Sequence, residues 1–129
     1  VPHVLPLDGQ AQLALDLVDK GVDLIQTEGG RSSYPRSPGT LGLIEKASPT
    51  LAATYAIASA LKESDKDVPV ICASGLSEVT IPMALSVGAT GVGIGSAVNK
   101  LNTELEMIAT VKGLRQACNS FKLLATMMQ

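Results

Sequence analysis

Val68-Pro69-Val70-Ile71-Cys72-Ala73-Ser74-Gly75-Leu76, followed beyond one capped segment by Thr90-Gly91-Val92-Gly93-Ile94-Gly95-Ser96-Ala97, is the stretch on which the reading of the fold turns. The first begins as a β-branched run over Val68 to Ala73; the second alternates Val92 and Ile94 with glycines, and Ser and Gly stand at the far end of each. Between them Ser77 stands at an N-cap position, a helix is predicted over roughly 78–87, and Gly88 is placed to close it in a left-handed turn. Pro82 falls near the first turn of that helix, where it costs least. Strand, helix and strand in so short a span demand parallel strands, because antiparallel neighbours need no crossover helix.

Working outward, the same unit recurs. Val22 to Glu28 is predicted as a strand, and Gly29 to Gly39 is dense in turn residues. Ser48-Pro49 is expected to open a helix through about Ser64, with Ser as the cap and Pro at the first helical position. At the start, Val1 to Leu5 reads as a short strand between Pro2 and Pro6. Asp8 stands as an N-cap, Leu13 and Leu17 recur at helical spacing, and Gly21 ends the helix. Asn102 begins a last helix that uses Leu105, Ile108, Ala109, Leu114 and Ala117, and the tail beyond Cys118 is left unassigned. The resulting order is βαβαβαβα, an α/β chain with a parallel (βα)4 arrangement. Gly21-Val22-Asp23-Leu24-Ile25 is weakly echoed by Gly88-Ala89-Thr90-Gly91-Val92, and the Gly/Ser/Pro loop makes the middle interval between strands about twice the others. Such a loop is more often functional or mobile than decorative.

Composition narrows the options. Hydrophobic residues make up 46% of the 129 residues and aromatic ones only 2%, so the core is built from Ala, Leu, Val, Ile and close helix–strand approach rather than from large rings. A net charge of −2 without a basic block gives a nucleic-acid backbone or an anionic membrane little to grip. No apolar run is long enough for a membrane span, and a soluble chain is expected. Cys72 and Cys118 are too few and too far apart for a zinc knuckle or a disulfide framework, so a reducing compartment is expected and no metal set is read. Val1 without a leader suggests numbering that begins inside a longer precursor.

Strand parity locates the candidate site. Burying Gln26 and Glu28 under a helix would strand an amide and a carboxylate in apolar packing, so Ile25 and Thr27 should face the helices and Gln26 and Glu28 the opposite side. By the same argument Val92 and Ile94 turn toward helices and leave Gly93 and Gly95 on the other face. Glu28, Ser74 and Ser96 stand at carboxyl ends of strands, where ligands bind in parallel α/β folds.

Glycines at two adjacent strand ends let backbone N–H groups approach an anion, and a following short helix can add its dipole. The string from Ala73 to Ala97 resembles the phosphate signature at the seventh and eighth units of TIM (β/α)8 barrels, such as the cyclase subunit of imidazole glycerol phosphate synthase, thiazole synthase and many flavin-mononucleotide barrels. On that resemblance Ser74, Gly75, Gly95 and Ser96 would hold phosphate, and Lys100 could help neutralise it, although an exposed Lys is more often simply solvated. A whole barrel needs about 250 residues, so 1–129 would be the carboxyl-terminal half, strands five to eight. An amino-terminal half absent from this chain, or a second copy, would be needed to close it.

Val1-Pro2-His3-Val4-Leu5-Pro6-Leu7-Asp8, Ile25-Gln26-Thr27-Glu28-Gly29-Gly30, Pro38-Gly39-Thr40-Leu41-Gly42-Leu43-Ile44-Glu45-Lys46-Ala47, Cys72-Ala73-Ser74-Gly75-Leu76 and Gly95 to Asn102 together resemble the hypothetical chloroplast reading frame 23 family. The resemblance spans about Val1 to Val111 and implies a barrel in a plastid or cyanobacterial setting, the plastid stroma being the implied location; it brings no established reaction. The chain departs from the family in a charged insert, Lys62 to Asp67, expected as a surface loop, and in its tail after Cys118.

Three functions are weighed. The first is an enzyme-like barrel for a small phosphorylated metabolite, of isomerase, lyase or aldolase type, with His3 and Glu28 as catalytic proton-transfer groups and Gln26 and Arg31 as substrate contacts. The second is a flavin-mononucleotide oxidoreductase, although Ser96 stands where a basic residue is frequent. The third is a non-catalytic regulatory or assembly subunit. The sequence itself names no cofactor.

Overall fold

The strand predicted over Val68 to Ala73 forms, as Val70–Ala73, the middle of the sheet. In the computed structural model, which describes residues 1–30 and 34–127, the elements run α1 (Leu7–Asp19), β1 (Ile25–Gln26), α2 (Gly39–Glu63), β2 (Val70–Ala73), α3 (Ile81–Ser86), β3 (Gly91–Gly93), α4 (Ser96–Asn99) and α5 (Glu104–Met127). The sheet has three strands in the order β1-β2-β3, all parallel, with Ile25 opposite Val70, and Cys72 opposite Val92. The chain is therefore α/β with parallel strands joined by helices, as expected.

The first predicted strand is corrected. The Val1 nitrogen donates to the Gln26 carbonyl at 2.8 Å, but Pro2 has no N–H to continue a ladder and the chain turns away at His3-Val4. The described residues thus contain three strands rather than four. Each strand is also shorter than predicted, although ladder-like bonds extend β1 at both ends, Ile25 N–H to Pro69 O at 3.1 Å and Thr27 N–H to Ile71 O at 3.0 Å.

Helix starts differ for identifiable reasons. Asp8 lies inside the first turn of α1, with Pro6 at the N-cap, and its carboxylate accepts from the Gly9 N–H at 2.9 Å. Gly21 closes the helix at φ +98, as its position suggests. Helix α2 begins at Gly39, well before Ser48-Pro49, and runs for 25 residues with Pro49 inside it. An interior Pro costs a helix about 3 kcal/mol. The buried stripe on both sides of it, Ala47, Thr50, Ala53, Thr54, Ile57 and Leu61, offsets that cost through tertiary packing. Ser48 is no cap; its hydroxyl donates to the Ile44 carbonyl at 2.8 Å. Helix α3 starts at Ile81 after a turn in which Thr80 Oγ1 accepts from the Ser77 N–H at 2.9 Å. Helix α5 continues through the unassigned tail to Met127. Within the charged insert, Lys62 and Glu63 complete α2, and Lys66 pairs with Asp19 of α1.

Two core clusters pin α1, α2 and α3 to one face of the sheet. Ala14, Ile25, Ile57, Leu61 and Val70 join α1, α2, β1 and β2. Ala47, Cys72, Leu76, Ala84 and Ala89, with Val92 and Ile94 packed on them, join α2, α3, β2 and β3. Small residues set the spacing: a Cβ at Gly88 would meet the Ala58 Cβ at 2.6 Å. The predicted facing holds, since Ile25 and Thr27 are buried while Gln26 is exposed. The opposite face carries Gln26, Ile71, Ala73, Gly91 and Gly93, open at Gln26 and half-buried at Ile71, Gly91 and Gly93. No helix of the described residues is long and apolar enough to cross a membrane.

Candidate functional site

The carboxyl ends of the strands open into a cleft of ≈ 990 Å3. Its walls include His3, Gln26, Glu28, Ser74, Gly75, Gly95 and Ser96, so residues far apart in sequence meet at one mouth. Arg31 lies outside the described residues. Lys100 also lines the cleft, as do Lys46 and Tyr34, which sequence reasoning did not select. Lys46 follows Glu45 on α2, and only the early start of that helix, hidden behind the Ser48-Pro49 cap signal, brings it to the site.

Glu28 leaves β1 pointing to the open face and meets His3. A single carboxylate oxygen, Oε1, accepts from the His3 backbone N–H at 2.7 Å and lies 2.7 Å from His3 Nδ1. The backbone donor first, and the ring second, hold the Glu28 carboxyl below the usual carboxylate range, against a smaller upward push from burial. Gly30, at φ +63, lies against the imidazole: a Cβ there would collide with the ring.

The second strand end is bent by backbone geometry. Ser74 has φ +81 and Gly75 φ +74, two successive left-handed residues immediately after β2. For Ser this conformation is unfavourable by about 1–2 kcal/mol, and such strain concentrates where a backbone is held for a purpose. Gly75 packs on α2, where an added Cβ would stand 2.6 Å from the Lys46 carbonyl oxygen. Gly95 differs, because nothing lies within 4 Å of a Cβ built on it. The helix that follows, α4, has four residues, so any anion held here depends on loop amides and the Ser74 and Ser96 hydroxyls rather than on a macrodipole.

Beneath the cleft lies a buried hydroxyl chain that the sequence reading also missed. Thr27 Oγ1 is 2.8 Å from Thr50 Oγ1 and 3.1 Å from Thr54 Oγ1, and Thr50 donates to the Ala73 carbonyl. Thr50 and Thr54 stand one helical turn apart on α2, which is the only signal the sequence carried. This chain ties β1, α2 and the last residue of β2 together, one residue before Ser74. Arg36 and Ser37, just before α2, are held by Glu45, which accepts from the Ser37 hydroxyl at 2.6 Å and the Arg36 N–H at 2.7 Å. Those donors, Ser37 first, hold the Glu45 carboxyl below its usual range.

The cleft can thus offer hydroxyls, a glycine-floored strand end and an imidazole backed by a carboxylate. Among the described residues no group of three or more His, Cys, Asp or Glu is placed to hold a metal ion. Cys72 is buried and Cys118 half-buried, both as free thiols. A second hollow of ≈ 600 Å3 lies at the opposite, amino end of the sheet, beside Lys62, Asp65, Lys66 and Asp67, whose charges offset one another.

Residues 1–123 match the family described as "Protein of unknown function (DUF561)". The chain belongs to the DUF561 family. Its relatives include "Uncharacterized protein ycf23" of Porphyra purpurea, 36% identical over 120 residues, covering 93% of this chain and 43% of the relative. The protein of the same name from Cyanophora paradoxa is 46% identical over 108 residues, covering 84% of this chain and 42% of the relative. The DUF561 chain therefore spans less than half the length of these relatives, and their shared name agrees with the resemblance to the chloroplast reading frame. No solved structure matches.

Proposed function

We propose that this DUF561 chain is the carboxyl-terminal half of a (β/α)8 barrel that binds a small phosphorylated metabolite at its strand ends, for isomerase- or lyase-type chemistry. The carrying observation is the shared cleft, in which Ser74, Gly75, Gly95 and Ser96 line the same space as His3, Glu28 and Gln26. The half-barrel reading is supported by parallel strands with helices packed on one face, and by the Val1 nitrogen bonding to Gln26 as the end of a neighbouring strand would. The remaining half comes from the longer protein that the relatives represent, or from a second copy. The plastid stroma is the proposed location.

Native mass spectrometry of the purified protein, with titration by inorganic phosphate, tests this. A co-purifying phosphorylated compound, or saturable phosphate binding, is expected, and Gly95→Leu should abolish it without lowering the melting temperature because the position opens on empty space. Binding that survives Gly95→Leu, or no phosphate binding at all, overturns the reading.

A further inference from the structure

Resting on the reading of this cleft as an anion site, we propose that His3 is its proton-transferring base, acting through Nε2 on a phosphorylated carbonyl compound, with Glu28 as the residue that positions the ring.

Three contacts fix that ring. An ionised carboxylate only accepts hydrogen bonds, so the 2.7 Å approach of Glu28 Oε1 to Nδ1 places the proton of a neutral imidazole on Nδ1 and leaves the Nε2 lone pair free to act as a base. The same oxygen holds the His3 backbone N–H at 2.7 Å, so main chain and ring are anchored at one point. The third contact is the backbone of Gly30, with the ring atoms Cδ2, Cγ and Nε2 nearest to where its Cβ would be, an approach that glycine alone permits. The His3 side chain retains 38% exposure and forms part of the cleft wall, so the fixed ring is accessible. Base, orienting carboxylate and adjacent anion site are the parts an acid–base site requires. An isolated surface ion pair needs neither the double anchor nor the glycine seat.

The chemistry follows from what such a base can do. An imidazole exchanges its proton near neutral pH, and a C–H beside a carbonyl is the carbon acid within its reach. Nε2 takes that proton. The C–H electron pair becomes the enolate double bond, the carbonyl π pair moves to oxygen, and Glu28 faces the imidazolium that forms. Where the deprotonated carbon carries a hydroxyl, that hydroxyl's proton passes to the former carbonyl oxygen and its O–H electron pair becomes the new carbonyl. The enolate double-bond pair takes the proton back from the imidazolium at the former carbonyl carbon, an isomerisation that consumes nothing else. The phosphate, held at Ser74, Gly75, Gly95 and Ser96, supplies the handle.

The chain contains one histidine, so nitrogen-15 correlation spectra, assigned with His3→Gln, read its tautomer directly. The Nδ1–H form is expected in the wild type, retained in part by Glu28→Gln and replaced by a free-imidazole mixture in Glu28→Ala. Uptake of deuterium from heavy water into dihydroxyacetone phosphate reads the chemistry. His3→Gln should lower it by about a hundredfold or more, Glu28→Ala by less, and Glu28→Gln least. An Nε2–H tautomer in the wild type overturns the assignment of roles. No deuterium uptake while phosphate still binds overturns the carbonyl chemistry and leaves the anion site standing. Loss of phosphate binding alone, with the tautomer as expected, sinks the cleft reading on which the proposal rests.

Discussion

Replacing Thr50 by Val tests whether the buried hydroxyl chain sets the strand end under the cleft. The proton order along it is fixed by counting. Thr50 gives its proton to the Ala73 carbonyl, so the Thr27–Thr50 contact must use the Thr27 proton, and the Thr27–Thr54 contact must then use that of Thr54. The chain runs Thr54 to Thr27 to Thr50 to Ala73. Valine at 50 keeps the shape, removes the hydrogen bonds to Thr27 and to the Ala73 carbonyl, worth about 1 kcal/mol each, together with a weak contact to Cys72 Sγ at 3.8 Å, and leaves the Ala73 carbonyl without that donor, so the loss should reach about 2–4 kcal/mol. At about 4 °C per kcal/mol for a domain of this size, the melting temperature should fall by roughly 8–16 °C. Thr54→Val removes only the first donor and should cost about 1 kcal/mol. Urea unfolding followed by circular dichroism compares the two, and phosphate titration of folded Thr50→Val reports on the strand end, where weaker binding is expected. Equal losses for the two variants would refute the directed chain.

Acid stability follows from the lowered carboxyls of Glu28 and Glu45. A carboxyl whose folded-state value lies below its unfolded one adds stability above the unfolded value and loses it as pH falls through the folded one, so wild-type stability should decline from about pH 5 downward. Glu28→Gln and Glu45→Gln should each flatten that decline, as read by denaturant midpoints across pH. Gly75→Ala places a Cβ 2.6 Å from the Lys46 carbonyl oxygen at φ +74 and should destabilise by about 2 kcal/mol or more, measured by urea titration. Gly30→Ala should cost only about 1 kcal/mol, since the His3 ring can swing away, but it should erase the Nδ1–H signature of that ring.

The sequence made the sheet and its facing readable because parity and charge agree. Gln26 and Glu28 cannot be buried beside Ile25 and Thr27, and Gly21 and Gly88 mark helix ends by a conformation other residues avoid. Boundaries were less legible. Ser48-Pro49 carries a strong start signal, yet α2 runs through it, because burial of Ala47, Thr50 and Ala53 outweighs one missing N–H; local chemistry cannot weigh a tertiary gain. The Val1–Leu5 run looked like a strand by composition, but Pro2 interrupts the ladder after one bond. The cleft residues were visible individually, as polar or glycine positions at strand ends. Their grouping was visible only through the assumed parallel order. Lys46 and the Thr50–Thr54 pair depended on how α2 is rotated, which an even scatter of small apolar residues along a helix does not declare.

Gly75 and Gly95 are the same letter under opposite constraints. The first is required by left-handed backbone and by the Lys46 carbonyl, whatever the protein does; the second has open space where a side chain would begin. A saturation library at the two positions, scored for folding alone, should tolerate most side chains at 95 and almost none at 75. If growth of the host then rejects what folding accepts at 95, that gap records pressure exerted by a visitor, and its size profile sketches the visitor's outline before anyone knows its formula.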